Sequence, residues 1–449
     1  MVPQELIHYI MKKYLLLLLV VALSFTTAFA ADESTITIKT SKPVGTTVSL
    51  DAYTASKDEA FTVDWGDGEE KIYNVDPNGW GYSRRIKTEI KGGTITIKGK
   101  LVNFDLTEAG ITSVDIHGQT ALKVINLKEN EIATFKQDGM PALTELNLRD
   151  NKLTTFSGTG MTSLKTLNLQ GNQLDSHEFD ITDASATLTE LTVSDNGDKF
   201  ITLNLVAFTA LEYFYCDDNP EFTTAVFADN NANINKISMN NCHVMHFYSC
   251  TFPNLYSLNL SNNALLELED GNYPKLSTLS IDHNYLTTLD VTRFPKLGSL
   301  YCGNNNIKLL NVGSNPGLLS LNCDSLDITK LDLSNNKDLA YLSVNGTKLT
   351  QLDIRGKRSI TTLNISNTAI RYIDLEDQYS LRDFRARNTQ CEFFYFNYIN
   401  PWGRFNYVDI RDNKKMTGNS MNFTLHTIPQ AYSDYSNSLL ISGSKRRDG

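Results

Sequence analysis

Apolar residues recur along this chain in one spaced pattern. The stretch Leu276-Ser-Thr-Leu279-Ser-Ile281-Asp-His-Asn284-Tyr-Leu286 reads L-x-x-L-x-L-x-x-N-x-L. With Ile or Phe allowed for Leu, the pattern starts at 101, 122, 143, 164, 188, 211, 234, 255, 276, 297, 318, 339, 360, 381 and 405. Ten of the fourteen spacings are 21 residues, and the other four are 23 or 24. A fixed period with an internal pattern is the mark of a repeat array, in which each unit covers its neighbour's apolar side. Positions four and six of the pattern lie two apart, so both side chains leave the same side of a short strand. Stacked units then place these strands side by side as a parallel sheet.

Position nine closes the turn after the strand. Asn occupies it at 130, 151, 172, 196, 219, 263, 284, 305 and 413, and its amide can satisfy backbone groups buried there. Thr347, Thr368 and Thr389 stand in its place in three successive units, Cys242 and Leu326 in two others. The return half carries Leu289-Asp290-Val291, Leu331-Asp332-Leu333, Leu352-Asp353-Ile354 and Ile373-Asp374-Leu375 in one register. Apolar-polar-apolar over so few residues predicts a second short strand rather than a helix. The expected fold is mainly β: a solenoid with a parallel sheet on its concave face and short strands on the return side.

This frame resembles the 21-residue bacterial leucine-rich-repeat class, L-x-x-L-x-L-x-x-N-x-L-x-x-L-D-L, of surface and secreted Bacteroidetes proteins, and more distantly the internalins. The resemblance covers about residues 101–425. It implies binding or adhesion, without fixing a ligand.

The flanks divide in the same way. Lys12 and Lys13 precede an apolar run from Tyr14 to Phe25 and then Ala28-Phe29-Ala30, so residues 1–30 read as an export signal, with Met11 a better-placed start than Met1. The run is short for a membrane span, and no later stretch approaches that length. An exported chain, on the cell surface, secreted or periplasmic, follows. Residues 31–100 alternate as strands and read as a β-rich cap over the first repeat, and 426–449 as a C-terminal cap. The C-terminal end runs from about Lys415, where Met421–Ile428 predicts a short helix and Ser438–Ile441 a last strand. The turn Asp64-Trp65-Gly66-Asp67-Gly68 is similar to a turn of PKD-like modules; a hairpin with Gly at positive φ suits it better than a Ca²⁺ site.

Composition narrows the chemistry. The net charge of −10 disfavours nucleic acid. Three of the six cysteines, Cys216, Cys302 and Cys323, fall on inward position six and read as buried free thiols. Cys242, His243, His246 and Cys250 have a metal-like spacing, but the repeat frame points them different ways. No nucleophile elbow, P-loop or H-E-x-x-H motif occurs, so neither enzyme, metal nor cofactor is expected.

What remains is the outward face of the sheet. Tyr213, Tyr215, Asp217, Tyr256, His283, Tyr301 and Tyr341 are the candidate ligand-binding residues, with Tyr407 and Arg382, Arg385, Arg387 and Arg411 near the end. Tyrosine offers rigid amphipathic area, which suits a protein or glycan ligand. Fifteen strands at ordinary spacing span roughly 70 Å, the scale of a macromolecule. The leading reading is a non-catalytic extracytoplasmic binding or adhesion protein. The alternatives are a surface glycan-binding accessory of polysaccharide uptake and a solenoid polysaccharide hydrolase or lyase. Phe393-Phe394-Tyr395-Phe396, with Tyr398 and Trp402, adds an aromatic stretch on the return side whose alternate members must be core.

Overall fold

The computed structural model describes residues 34–74, 83–396, 405–427 and 438–440. The expected export signal, Tyr398, Trp402 and most of 426–449 lie outside the described residues. The chain divides into two units, 1–174 with 178–187, and 175–177 with 188–449.

In the first unit, alternation makes the opening strands. Thr35–Thr40 buries Ile36 and Ile38, and Thr94–Lys98 buries Ile95 and Ile97. The two pair antiparallel with Ile36 opposite Ile97. Thr35–Thr40 also pairs with the return strand Ile111–His117, which runs parallel to Thr134–Gln137. Thr47–Tyr53 pairs antiparallel with Asn103–Asp105, the first strand of the repeat face, and that strand runs parallel to Val124–Asn126. Both sheets of the opening segment thus continue into the sheets of the coils. The first coil's backbone groups find partners that an uncovered end would lack.

The turn at 64–68 is a glycine hairpin. Gly66 and Gly68 have φ of +104° and +81°, and Asp64 Oδ1 accepts from both amides at 2.8 and 3.0 Å. A Cβ on Gly66 would lie 2.5 Å from Gly92 Cα, so only glycine fits. Asp67 is ion-paired with Lys91. Trp65 is buried and donates from Nε1 to Tyr73 Oη at 3.0 Å.

In the second unit the repeat strands run parallel and in register. Leu258, Leu279, Leu300, Leu321, Leu342, Leu363 and Phe384 stand opposite one another in turn. All seven are fully buried, with Ile281, Cys302, Cys323, Val344 and Ile365 beneath them at position six. The six cysteines are free thiols; Cys216, Cys302, Cys323 and Cys391 are buried, and burial pushes the thiol of Cys391 up to about 11.

The return side has fewer strands than the pattern predicts. In this unit Thr202–Leu205 pairs with Thr224–Phe227, and single bridges join Thr251 to Asn272 and Leu375 to Phe396. Residues 289–291, 331–333 and 352–354 form no strand. Asp290, Asp332 and Asp353 each accept at Oδ1 from the amide two residues on, at 2.9, 2.9 and 3.0 Å. Asn204 makes the same local bond within the strand Thr202–Leu205.

A second stack on the return side escaped the sequence reading. Phe252, Tyr273 and Phe294 lie ring on ring, with centroids 5.8 and 5.9 Å apart and planes within 15°. The same column continues as Asn315 and Asn336, fully buried, whose amides each donate to two carbonyls of the preceding coil at 2.8–3.1 Å. A helix, Gly418–Thr427, follows the last repeat strand Tyr407–Asp409, and Ser438–Leu440 pairs with that strand. Thr417 and Ser420 cap the helix reciprocally, which starts it three residues before the apolar pattern does.

Candidate ligand-binding face

Two turn positions hold the strand face in place. Position eight is left-handed in all fifteen repeats, with φ between 52° and 74°. Asn, Asp or Gly fills most of these sites because they tolerate that backbone best. Position nine then turns inward. Asn284 Nδ2 donates to Leu260 O of the preceding coil at 2.9 Å and to Ile281 O of its own at 3.1 Å; its Oδ1 accepts from Leu265 N at 3.0 Å. Asn151, Asn172, Asn263 and Asn305 repeat this arrangement. Thr347 and Thr368 keep only the bond within the coil, at 2.8 and 2.7 Å. Cys242 turns its thiol to Cys216 O at 3.1 Å, while His243 is exposed and His246 meets Glu269 at 3.6 Å. The four residues of that metal-like spacing do not converge.

On this frame the odd positions of each strand face outward. Tyr213 and Tyr215 are half-buried on either side of the buried Phe214. Lys236 stands one strand over and sets Nζ 5.0 Å from the Tyr215 ring centre, a cation–π geometry. Burial pushes the Tyr215 phenol up, and Glu190, Tyr256 and Tyr213 add to it. Tyr256 is 43% exposed. These four side chains form one cluster.

Asp217 has a different role from the outward one its position predicts. Its Oδ1 accepts from Ser238 Oγ and from Asn240 N, both at 2.6 Å, tying one coil to the next. Asp324 repeats the bridge to Ser343 Oγ at 2.5 Å and Asn345 N at 2.8 Å. Burial raises both carboxyls above their ordinary range, against those hydrogen bonds. His283 sits at left-handed position eight, φ 55°, with Nδ1 2.8 Å from Asp282 Oδ2. It lies on the turn edge, past the end of the strand Thr278–Ser280, whose neighbour carries Tyr301.

Tyr301 and Tyr341 belong to a second group. Tyr301 Oη accepts from Ser320 Oγ at 3.3 Å, and Ser320 stands opposite Tyr341 in the sheet. Toward the chain's end Arg385 lies over the Tyr407 ring at 5.0 Å. Arg411 pairs with Asp409 at 2.6 Å and Arg387 with Asp412 at 2.7 Å. Burial alone would raise Asp409, but the Arg411 bonds hold it below its ordinary value. The structure therefore brings Tyr213, Tyr215 and Tyr256 together, places Ser320 between Tyr301 and Tyr341 on the intervening strand, and sets His283 apart at the turn. Lys236 and Ser320 were missed; the sheet register sets Lys236 opposite Tyr213 and Ser320 opposite Tyr341.

Comparison with known proteins agrees with this geometry. A family profile described as leucine rich repeat matches residues 134–174. No curated protein matches the chain. Among solved structures, the functional domain of InlJ from Listeria monocytogenes, whose title notes a cysteine ladder, is 22% identical with a TM-score of 0.58, over 69% of this chain and 68% of that one. The internalin InlF from Listeria monocytogenes is 21% identical with a TM-score of 0.51, over 63% and 86%. YopM from Yersinia enterocolitica is 19% identical with a TM-score of 0.54, over 69% and 68%. At such identities the likeness speaks to fold. With the in-register strands and the asparagine ladder, it gives this chain the fold of a leucine-rich-repeat solenoid, distantly internalin-like.

Proposed function

We propose that this chain is an exported, non-catalytic binding protein that holds a macromolecular ligand, foremost a protein, on the strand face of its second unit. The cluster of Tyr213, Tyr215, Tyr256 and Lys236 carries the reading. Rigid aromatic rings beside a cation are what protein interfaces concentrate at their energetic centres. Tyr301 and Tyr341 extend the contact along the sheet, Asp217 holds the tyrosine strand against its neighbour, and His283 lines the rim. The candidate residues share one scaffold, and the perturbed carboxyls, Asp217 and Asp324, are spent on structural bridges rather than on a reacting group.

The test is a search for surface and secreted binding partners with the purified chain lacking residues 1–30, followed by titration of any partner against Tyr213→Ala/Tyr215→Ala. The double change should weaken binding by about a hundredfold, two anchor residues at about 1.4 kcal/mol each. Unaltered affinity would sink the proposed face. Turnover of a polysaccharide, abolished by one carboxylate substitution, would overturn the non-catalytic reading.

A further inference from the structure

We propose a second ligand site, for a neutral saccharide, on the return side of the coils that start at 339 and 360. A cavity of about 600 Å³ opens there, with Leu352, Asp353, Arg355, Arg371, Tyr372 and Asp374 in its wall. Small-ligand sites occupy about 300–1,000 Å³, so one or two sugar rings suit the space.

Three features of the wall point to a sugar. The first is a fixed aromatic plate. Tyr372 is 58% exposed, and Phe393 meets its ring edge-on at 6.3 Å and 63°. Phe393 is itself held out from the core, while its neighbours Phe394 and Phe396 are buried. A supported, exposed ring next to the buried Leu352 offers the apolar surface on which the C–H face of a pyranose stacks. The second is a balanced set of hydroxyl partners. Asp353 is bonded to Arg355, Oδ1 to Nε at 3.0 Å and Oδ2 to Nη2 at 2.8 Å. Asp374 uses Oδ1 for the Glu376 amide at 3.0 Å and retains acceptor capacity on its other oxygen. Arg371 makes no ion pair among the described residues. Carboxylate acceptors and guanidinium donors side by side match the vicinal hydroxyls of a sugar, each of which both donates and accepts. The third is charge. Two arginines face two aspartates, so a uronic or sialic acid would gain an arginine and meet a carboxylate, and a neutral ring meets neither excess.

The cavity shares no lining residue with the tyrosines of the strand face, and the two sites stand or fall separately. The experiment is a glycan array of neutral and acidic oligosaccharides probed with the whole chain, then calorimetric titration of the best neutral ligand. Tyr372→Ala and Arg371→Gln should each weaken binding by about tenfold or more, and Tyr372→Phe, which keeps the ring, should stay within about threefold. Tyr213→Ala/Tyr215→Ala should leave the sugar affinity unchanged. Absence of any neutral ligand, a preference for acidic sugars, or full affinity after both Tyr372→Ala and Arg371→Gln would each overturn the proposal.

Discussion

Replacing Asn284 by alanine removes one rung of the ladder that joins successive coils. The side chain serves three buried backbone groups: Leu260 O at 2.9 Å, Ile281 O at 3.1 Å and Leu265 N at 3.0 Å. A buried group left without its partner costs about 1–3 kcal/mol. Three such losses set a ceiling of about 9 kcal/mol, and water entering the vacated space recovers part, so about 3–5 kcal/mol is expected. Asn284→Thr should cost about half as much, because Thr347 and Thr368 show that a hydroxyl keeps the bond within the coil. Neighbouring coils of a repeat array can open separately, so hydrogen exchange across 255–305 should accompany urea unfolding. A local loss of 3 kcal/mol would speed exchange at the Leu265 amide by roughly a hundredfold. An alanine cost below about 1 kcal/mol, or a threonine cost equal to it, would refute the ladder as the source of coil-to-coil stability.

Three further outcomes follow from the same physical terms. Tyr273 is fully buried between Phe252 and Phe294 with no partner for its hydroxyl, so Tyr273→Phe should raise stability by about 1 kcal/mol and the melting temperature with it. Gly271→Ala should destabilise the chain by driving a Cβ against that hydroxyl, and should cost less in the Tyr273→Phe background; equal costs in both would be contrary. Asp217 and Asp324 have folded-state values above the ordinary carboxylate range because burial penalises their charge. The folded chain then holds their protons more tightly than the unfolded chain. Stability from these two groups rises as pH falls through the folded-state values and levels off below the unfolded ones. The double change Asp217→Asn/Asp324→Asn should therefore help more at pH 7 than near pH 4 in thermal melts, and a benefit that grows toward acid would contradict the sign.

Much of this was legible in the chain itself, for identifiable reasons. The inward leucines and the asparagine turn were readable because their roles recur every 21 residues and depend on type and spacing alone. The return strands were over-read because an apolar-polar-apolar triplet reads as a strand, whereas the backbone at 289–291, 331–333 and 352–354 joins no ladder. Asp217 looked free because position seven faces outward, and its partner Ser238 lies in the next coil. The aromatic stretch at 393–396 alternates as anticipated, with Phe394 and Phe396 in the core. The cavity beside Tyr372 was beyond sequence, since it depends on how Phe393 props one ring and how Arg355 folds back on Asp353.

The asparagine ladder also sets which changes of length the chain tolerates. Asn284 reaches back 24 residues with its amide and 19 with its oxygen, so its bonds measure one coil from both sides of the turn. Loss of a single residue from a strand would break that measure for every later rung of the coil. Gain or loss of a whole coil leaves every remaining measure intact. Asn219 and Asn413 show the allowance for slack: their amides reach back 26 and 27 residues to equivalent carbonyls. Whole coils, the tyrosine-bearing ones included, can thus be added, removed or exchanged one at a time on an unchanged scaffold.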